Sequence, residues 1–251
     1  MLVLQFEKHK SNVMKKKIIL ALCAIFLTAC GASDDSSGCH DGGNGQVISV
    51  AFIGNSLTRN LPLKVIDLLA CGGFTPAVAV NNPSSTSLSD HIDDDKSLQL
   101  IAKGFDHIVL QEHSSGMHAL HVAPYALIQQ FKDLIEANGS DMMFYQTWGN
   151  RGEDRLAHIN GYDQVGNYFG SRVVAVGRAW SYFEANYGSQ FNVDLFDDDR
   201  HASFQGQVLT AYTFYAYLTG ESPQGLLDFG LTGPLAEALQ ISAWTTYQSY
   251  Q

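Results

Sequence analysis

From Gln46 onward, short β-branched apolar runs alternate with segments of helical periodicity, and that alternation narrows the possible folds more than any other feature of the chain. "QVISVAFI" (46–53) is β-branched and nearly continuously apolar, with only Gln46 and Ser49 polar, as expected of a strand covered on both faces. "LKVIDLLA" (63–70) then has helical spacing and stops at Gly72-Gly73. Further strands are expected at 77–82, 106–112, 141–148 and 172–177. Helices are expected at 123–139, where Ile128, Phe131 and Ile135 recur at helical spacing, and at 206–220 and 234–248. Strand–helix alternation of this kind predicts a single-domain three-layer α/β/α sandwich with a mostly parallel, flavodoxin-like five-stranded sheet. Ligands of such sheets sit beyond the carboxyl ends of the strands. The polar residues of interest are therefore those that follow a strand.

The N-terminal segment stands outside this pattern. Lys15, Lys16 and Lys17 precede an apolar run from Ile18 to Ala29, too short for a helix that crosses a bilayer, which needs about 20 residues. A basic head, a short apolar stretch and small residues before a cysteine describe an export signal over 1–29. "LTAC" (27–30) resembles a bacterial lipobox, which implies lipidation at Cys30 and a protein anchored in the bacterial cell envelope. Translation could begin at Met1 or at Met14. Residues 30–45, rich in Gly, Ser and Asp, read as a flexible tether reaching about 50 Å when extended, which leaves 46–251 as the folded domain.

Loss of the leader removes five lysines and one glutamate and takes the formal charge from −10 to −14. Such a surface repels phosphate backbones, so no nucleic-acid partner is expected, and membrane contact is expected only through the anchor. Cys39 and Cys71 remain in the exported part and could form a disulfide in an oxidising compartment, or stay as free thiols.

Two short stretches carry the chemistry. "GNSLT" (54–58) places Ser56 directly behind the first strand, and "DDRHAS" (198–203 with Asp197 before it) places Asp198 three residues ahead of His201. A serine hydroxyl is a weak nucleophile until a base takes its proton, and an imidazole serves as that base when a carboxylate fixes its tautomer. Each residue also has an ordinary reading. Ser56 could cap the following helix, Asp198 could belong to a solvated acidic run with Asp197 and Asp199, and Gln111 could be a satisfied buried amide. His113, His118 and His121 lack a fourth ligand, and the acidic run 90–96 lacks the spacing of a calcium loop, so neither a metal nor an organic cofactor is expected.

The first stretch resembles the GDSL block of the SGNH/GDSL hydrolase superfamily, with Asn55 in place of aspartate, and the second resembles that superfamily's closing Asp-x-x-His block. The resemblance implies Ser56 as nucleophile, His201 as base and Asp198 as its orienting acid. It further implies an oxyanion hole built from the Ser56 amide, a backbone amide near Ser85 or Thr86, and the side chain of Gln111. The superfamily's second block normally supplies a glycine, and "NNPSSTSL" (81–88) has none. The implied activity is hydrolysis of a carboxylic ester on a small molecule or polysaccharide, with O-acetyl groups on carbohydrates the favoured expectation. A non-catalytic glycan-binding lipoprotein and an O-acyltransferase using the same residues are the alternatives.

Overall fold

The computed structural model describes Cys39, residues 45–113 and residues 125–250. The leader, Cys30 and most of the tether lie outside the described residues, as do His118 and His121.

Five strands, β1 (Val47–Ile53), β2 (Thr75–Asn81), β3 (His107–Leu110), β4 (Asp141–Tyr145) and β5 (Arg172–Val174), form one sheet in the order β2-β1-β3-β4-β5. Every neighbouring pair is parallel, so the sheet is wholly and not merely mostly parallel. The helices among the described residues are α1 (Leu61–Cys71), α2 (Leu88–His91), α3 (Asp95–Ala102), α4 (Tyr125–Ala137), α5 (Arg155–Phe169), α6 (Val176–Phe191), α7 (Phe204–Thr219) and α8 (Gly233–Ser249).

Alternate residues of each strand serve two cores. Val50, Phe52, Val109, Met143, Tyr145 and Val174 face α1, α6, α7 and α8. Ala51, Ile53, Ile108, Leu110, Met142 and Phe144 face α3, α4 and α5. This double burial is why the strands read as continuous apolar runs instead of alternating ones. Helix α7 is enclosed on nearly all sides, with Val208 through Leu218 buried, and its apolar residues accordingly show no single stripe.

The strand expected at 172–177 ends at Val174, and α6 begins at Val176. Gly177 lets the first turn of α6 sit close to the chain beyond β4, because a Cβ at that position would lie 2.5 Å from the Thr147 carbonyl oxygen. The acidic run 90–96 is more than a solvated face: Asp94 caps α3 by accepting from the Ser97 amide, and His91 is buried. Cys39 and Cys71 are joined in a disulfide that ties the segment before β1 to the end of α1.

The chain leaves β1 for β2 on one side and later inserts β3 on the other. The carboxyl end of β1 therefore lies at the point where the strand order reverses, the usual ligand crevice of an open α/β sheet. Ser56 follows β1 at that point.

Candidate active site

The turn that carries Ser56 is held by the two neighbouring strands. The Gly54 amide donates to Asn81 O at the end of β2 (3.0 Å), and the Gln111 amide beyond β3 donates to Ile53 O (2.9 Å). Only glycine fits at 54, since a Cβ there would stand 2.6 Å from Gln111 Oε1. The N-cap of α1 is Asn60 and not Ser56, whose hydroxyl points elsewhere. Capping is therefore not the role of Ser56.

Ser56 Oγ lies 2.9 Å from His201 Nε2, across 145 residues of sequence, and His201 Nδ1 lies 2.7 Å from Asp198 Oδ2. An ionised carboxylate only accepts, so the proton between Asp198 and His201 belongs to Nδ1. The Nε2 lone pair is then free to accept from the Ser56 hydroxyl. Asp198 also accepts at Oδ1 from the backbone amides of His201 and Arg200, each at 2.7 Å. Those bonds, first the His201 amide, then its ring, then the Arg200 amide, hold the Asp198 carboxyl well below the usual carboxylate range. It stays ionised throughout the range in which a neutral imidazole is useful as a base.

The loop that presents Asp198 and His201 is clamped on several sides. Phe196 and Ala202 form a bridge across its base, and the Asp197 amide donates to His201 O (2.8 Å). The Arg151 amide donates to Asp199 O (2.7 Å), and Trp148 Nε1 donates to Arg200 O (2.9 Å). Trp148 itself is buried and stacked on Trp180, with ring centroids 4.0 Å apart. Gly206 allows α7 to approach this stack, because a Cβ there would lie 2.3 Å from Leu195 O. A tryptophan after a strand suggests core packing from sequence alone. Its grip on the histidine loop is visible only once the fold brings residues 148 and 200 together.

Gln111 is placed differently from the expectation that its side chain donates to an oxyanion. It is buried, its Oε1 accepts from the Asn55 amide (2.8 Å) and from Thr58 Oγ1 (3.1 Å), and its Nε2 donates to Glu112 O. Both ends of the amide are engaged under the turn, so the side chain braces the Ser56 turn. Asn55 has an equally specific place: its Nδ2 donates to Thr86 O (2.9 Å) and its Oδ1 accepts from the Leu57 amide (3.1 Å). An aspartate there could accept but could not donate, which accounts for asparagine in this chain. Through this bond the loop containing Ser85 and Thr86 is tied to the Ser56 turn, with Ser85 in the left-handed region at φ 62°.

Beneath the turn runs a buried network that sequence reading missed. Gly54 O can only accept, so His91 Nε2 donates to it (2.8 Å), and His91 Nδ1 then accepts from Ser97 Oγ (2.8 Å). Asn81 Nδ2 donates to Ser97 Oγ (2.9 Å) and to Asp94 Oδ2 (2.6 Å). His91 lies inside an acidic, apparently solvated run, and no spacing signal marks it as internal.

A cavity of about 10 Å³ borders Ser56 and His201, lined also by Leu57, Tyr145, Trp148 and Thr210. The Tyr145 hydroxyl is buried at this wall and makes no hydrogen bond of ordinary geometry among the described residues. No group of three or more His, Cys, Asp or Glu side chains among the described residues is arranged to hold a metal ion.

Neither a family model nor a curated protein sequence matches the chain. Solved structures do. A protein described as an SGNH hydrolase from Slackia heliotrinireducens superposes with a TM-score of 0.54 at 22% identity, covering 67% of this chain and 96% of that one. The fold is that of the SGNH hydrolases. The acetylxylan esterase of Geobacillus stearothermophilus matches with a TM-score of 0.55 at 15% identity over 71% of this chain and 96% of its own. A lipase/acylhydrolase from Enterococcus faecalis matches at 0.52 and 15% over 70% and 96%. At these identities the likeness concerns the SGNH fold, which the five-stranded parallel sheet and its flanking helices display in full.

Proposed function

We propose that the chain is a serine esterase of the SGNH type that removes short acyl groups, acetyl foremost, from a carbohydrate through an acyl-enzyme. The observation that carries this reading is the unbroken line of contacts from Asp198 through His201 to Ser56, ending at a cavity only large enough for a water-sized group. A methyl is about that size, so a cavity of this volume favours a short acyl group. The acetylated-carbohydrate part also draws on the likeness to a protein named as an acetylxylan esterase.

In this mechanism His201 Nε2 takes the Ser56 proton as Oγ attacks the ester carbonyl, and Asp198 stabilises the imidazolium that results. The tetrahedral oxyanion is met by the Ser56 amide, with a second backbone donor from the loop at Ser85 and Thr86. The imidazolium then protonates the departing sugar oxygen, and water, deprotonated by the same imidazole, releases the acid and restores Ser56. By the same proposal the protein is exported and lipidated at Cys30, and works on envelope-accessible glycans.

Ser56→Ala should lower kcat on p-nitrophenyl acetate by about 10⁴-fold or more while the protein stays folded. Wild type should prefer the acetyl over the butyryl ester, because the cavity beside Ser56 matches a methyl in size. Undiminished turnover by Ser56→Ala rejects the mechanism, and equal use of both esters rejects the reading of the cavity.

A further inference from the structure

The far edge of the sheet holds two adjoining cavities that the Ser56 chemistry does not use. One, of about 640 Å³, runs along β5 between α5 and the ends of α7 and α8, and the other, of about 390 Å³, continues between α5, α6 and α8. They adjoin at Arg178 and Tyr250, and the larger forms a groove along β5. It lies three strand spacings from β1, about 14 Å across the sheet.

The lining is aromatic and polar at once. The Arg178 guanidinium rests 4.2 Å from the Tyr250 ring centroid, and Tyr217 and Tyr247 meet edge to face at 5.1 Å. The Tyr217 hydroxyl donates to Tyr250 O (2.8 Å), which fixes the rim. Arg178 pairs with Asp163, but its Nε is buried without a hydrogen-bond partner among the described residues.

The chemistry of these walls excludes most occupants. An acyl chain needs aliphatic walls, whereas the walls along β5 set the aromatic Tyr217, Tyr247 and Tyr250 among Asp163, Asn167, Ser171, Arg172 and Arg178. Phosphate polymers need several free cations, whereas Asp163 neutralises one of the two arginines here and the chain as a whole carries a formal charge of −10. An added peptide strand needs an edge to pair with, and β5 has 3 residues. Sugars fit: their faces pack on tyrosine rings, and their hydroxyls match planar guanidinium, carboxylate and amide groups. Resting on the esterase reading, we propose that this groove is a second, non-catalytic carbohydrate site that holds the glycan chain whose acyl groups are removed at Ser56.

The test is calorimetric titration of the wild-type protein with unacetylated xylohexaose, cellohexaose and chitohexaose, alongside two variants at exposed groove positions. Asn167→Trp fills the groove from α5, and Tyr250→Ala removes a platform. Thermal unfolding checks that both fold, and p-nitrophenyl acetate turnover checks that the Ser56 site is intact. Wild type should bind at least one of the three sugars, each variant should weaken that binding about tenfold or more, and acetate turnover should not change. Because the sugars carry no ester, a protein that binds them but hydrolyses nothing would fail the esterase reading and keep the groove. Binding of none of the sugars, or binding untouched by both variants, overturns the proposal. A dimer in sedimentation that Asn167→Trp dissolves also overturns it, by assigning the groove to a second copy.

Discussion

Replacing Asn55 by the aspartate that its resemblance suggests should damage this protein, although the two side chains have nearly the same shape. Asn55 is 2% exposed and donates through Nδ2 to Thr86 O at 2.9 Å. In Asn55→Asp an acceptor replaces the donor, so an ionised carboxylate faces a carbonyl oxygen and Thr86 O loses its partner. A typical hydrogen bond contributes about 1 kcal/mol net, and a buried group left unsatisfied costs about 1–3 kcal/mol. The expected destabilisation at neutral pH is therefore about 2–4 kcal/mol, or roughly 5–15 °C in Tm for a domain of this size. The sign with pH is opposite to that of a salt-bridged aspartate. Burial against a carbonyl raises the folded-state pKa of the new carboxyl, so the protonated form, which can donate to Thr86 O, is retained on folding. Stability should approach wild type near pH 4 and fall as the pH rises above the unfolded value of about 3.9. Urea denaturation of both proteins at pH 4 and pH 7 measures this directly. Equal stability at pH 7, with unchanged turnover, would refute the argument that Asn55 ties the Ser85–Thr86 loop to the Ser56 turn.

Two further outcomes follow from other contacts. Gln111→Ala strips the Asn55 amide and the Thr58 hydroxyl of their acceptor, so it should cost about 1–3 kcal/mol in stability as well as turnover; a variant with reduced turnover and undiminished stability would instead support Gln111 as an oxyanion donor. Cys39→Ser with Cys71→Ser opens a loop of 32-residue separation and should remove about 3–4 kcal/mol, read as a shift of the urea midpoint that reducing agent reproduces in wild type.

Much of this fold can be read from pattern because its strands are buried on both faces. β1 and α4 declare themselves through near-continuous apolarity and through Ile128, Phe131 and Ile135. α5 does not, since Gly161 and Gly166 interrupt it and its apolar residues are mixed with polar ones. The reason at Gly166 is tertiary: a Cβ there would lie 2.3 Å from Val173 Cγ2, so packing against β5 selects a residue that helix propensity disfavours. α6 is hidden in the same way, its first turn continuing the β-branched run of β5.

The candidate site was legible where chemistry and position coincide. Ser56 behind a strand, and Asp198 three residues from His201 before a helix, are local facts that the sheet brings together. The direction in which Gln111 faces is not a local fact. A glutamine at a strand end can turn outward to a substrate or inward to a backbone amide, and here the unsatisfied Asn55 N–H beneath the turn decides. The His91–Ser97–Asn81 relay escapes sequence reading for a similar cause, because two of its members sit among acidic and hydroxyl residues that usually face water.

The central claim is that His201, oriented by Asp198, makes Ser56 a nucleophile. Its most direct test is fluorophosphonate labelling of the folded protein with peptide mapping of the adduct, repeated on His201→Ala. The account predicts one adduct on Ser56 in the wild type and none in the variant at the same exposure. A properly folded wild type that takes no label, or takes it at another residue, contradicts the claim.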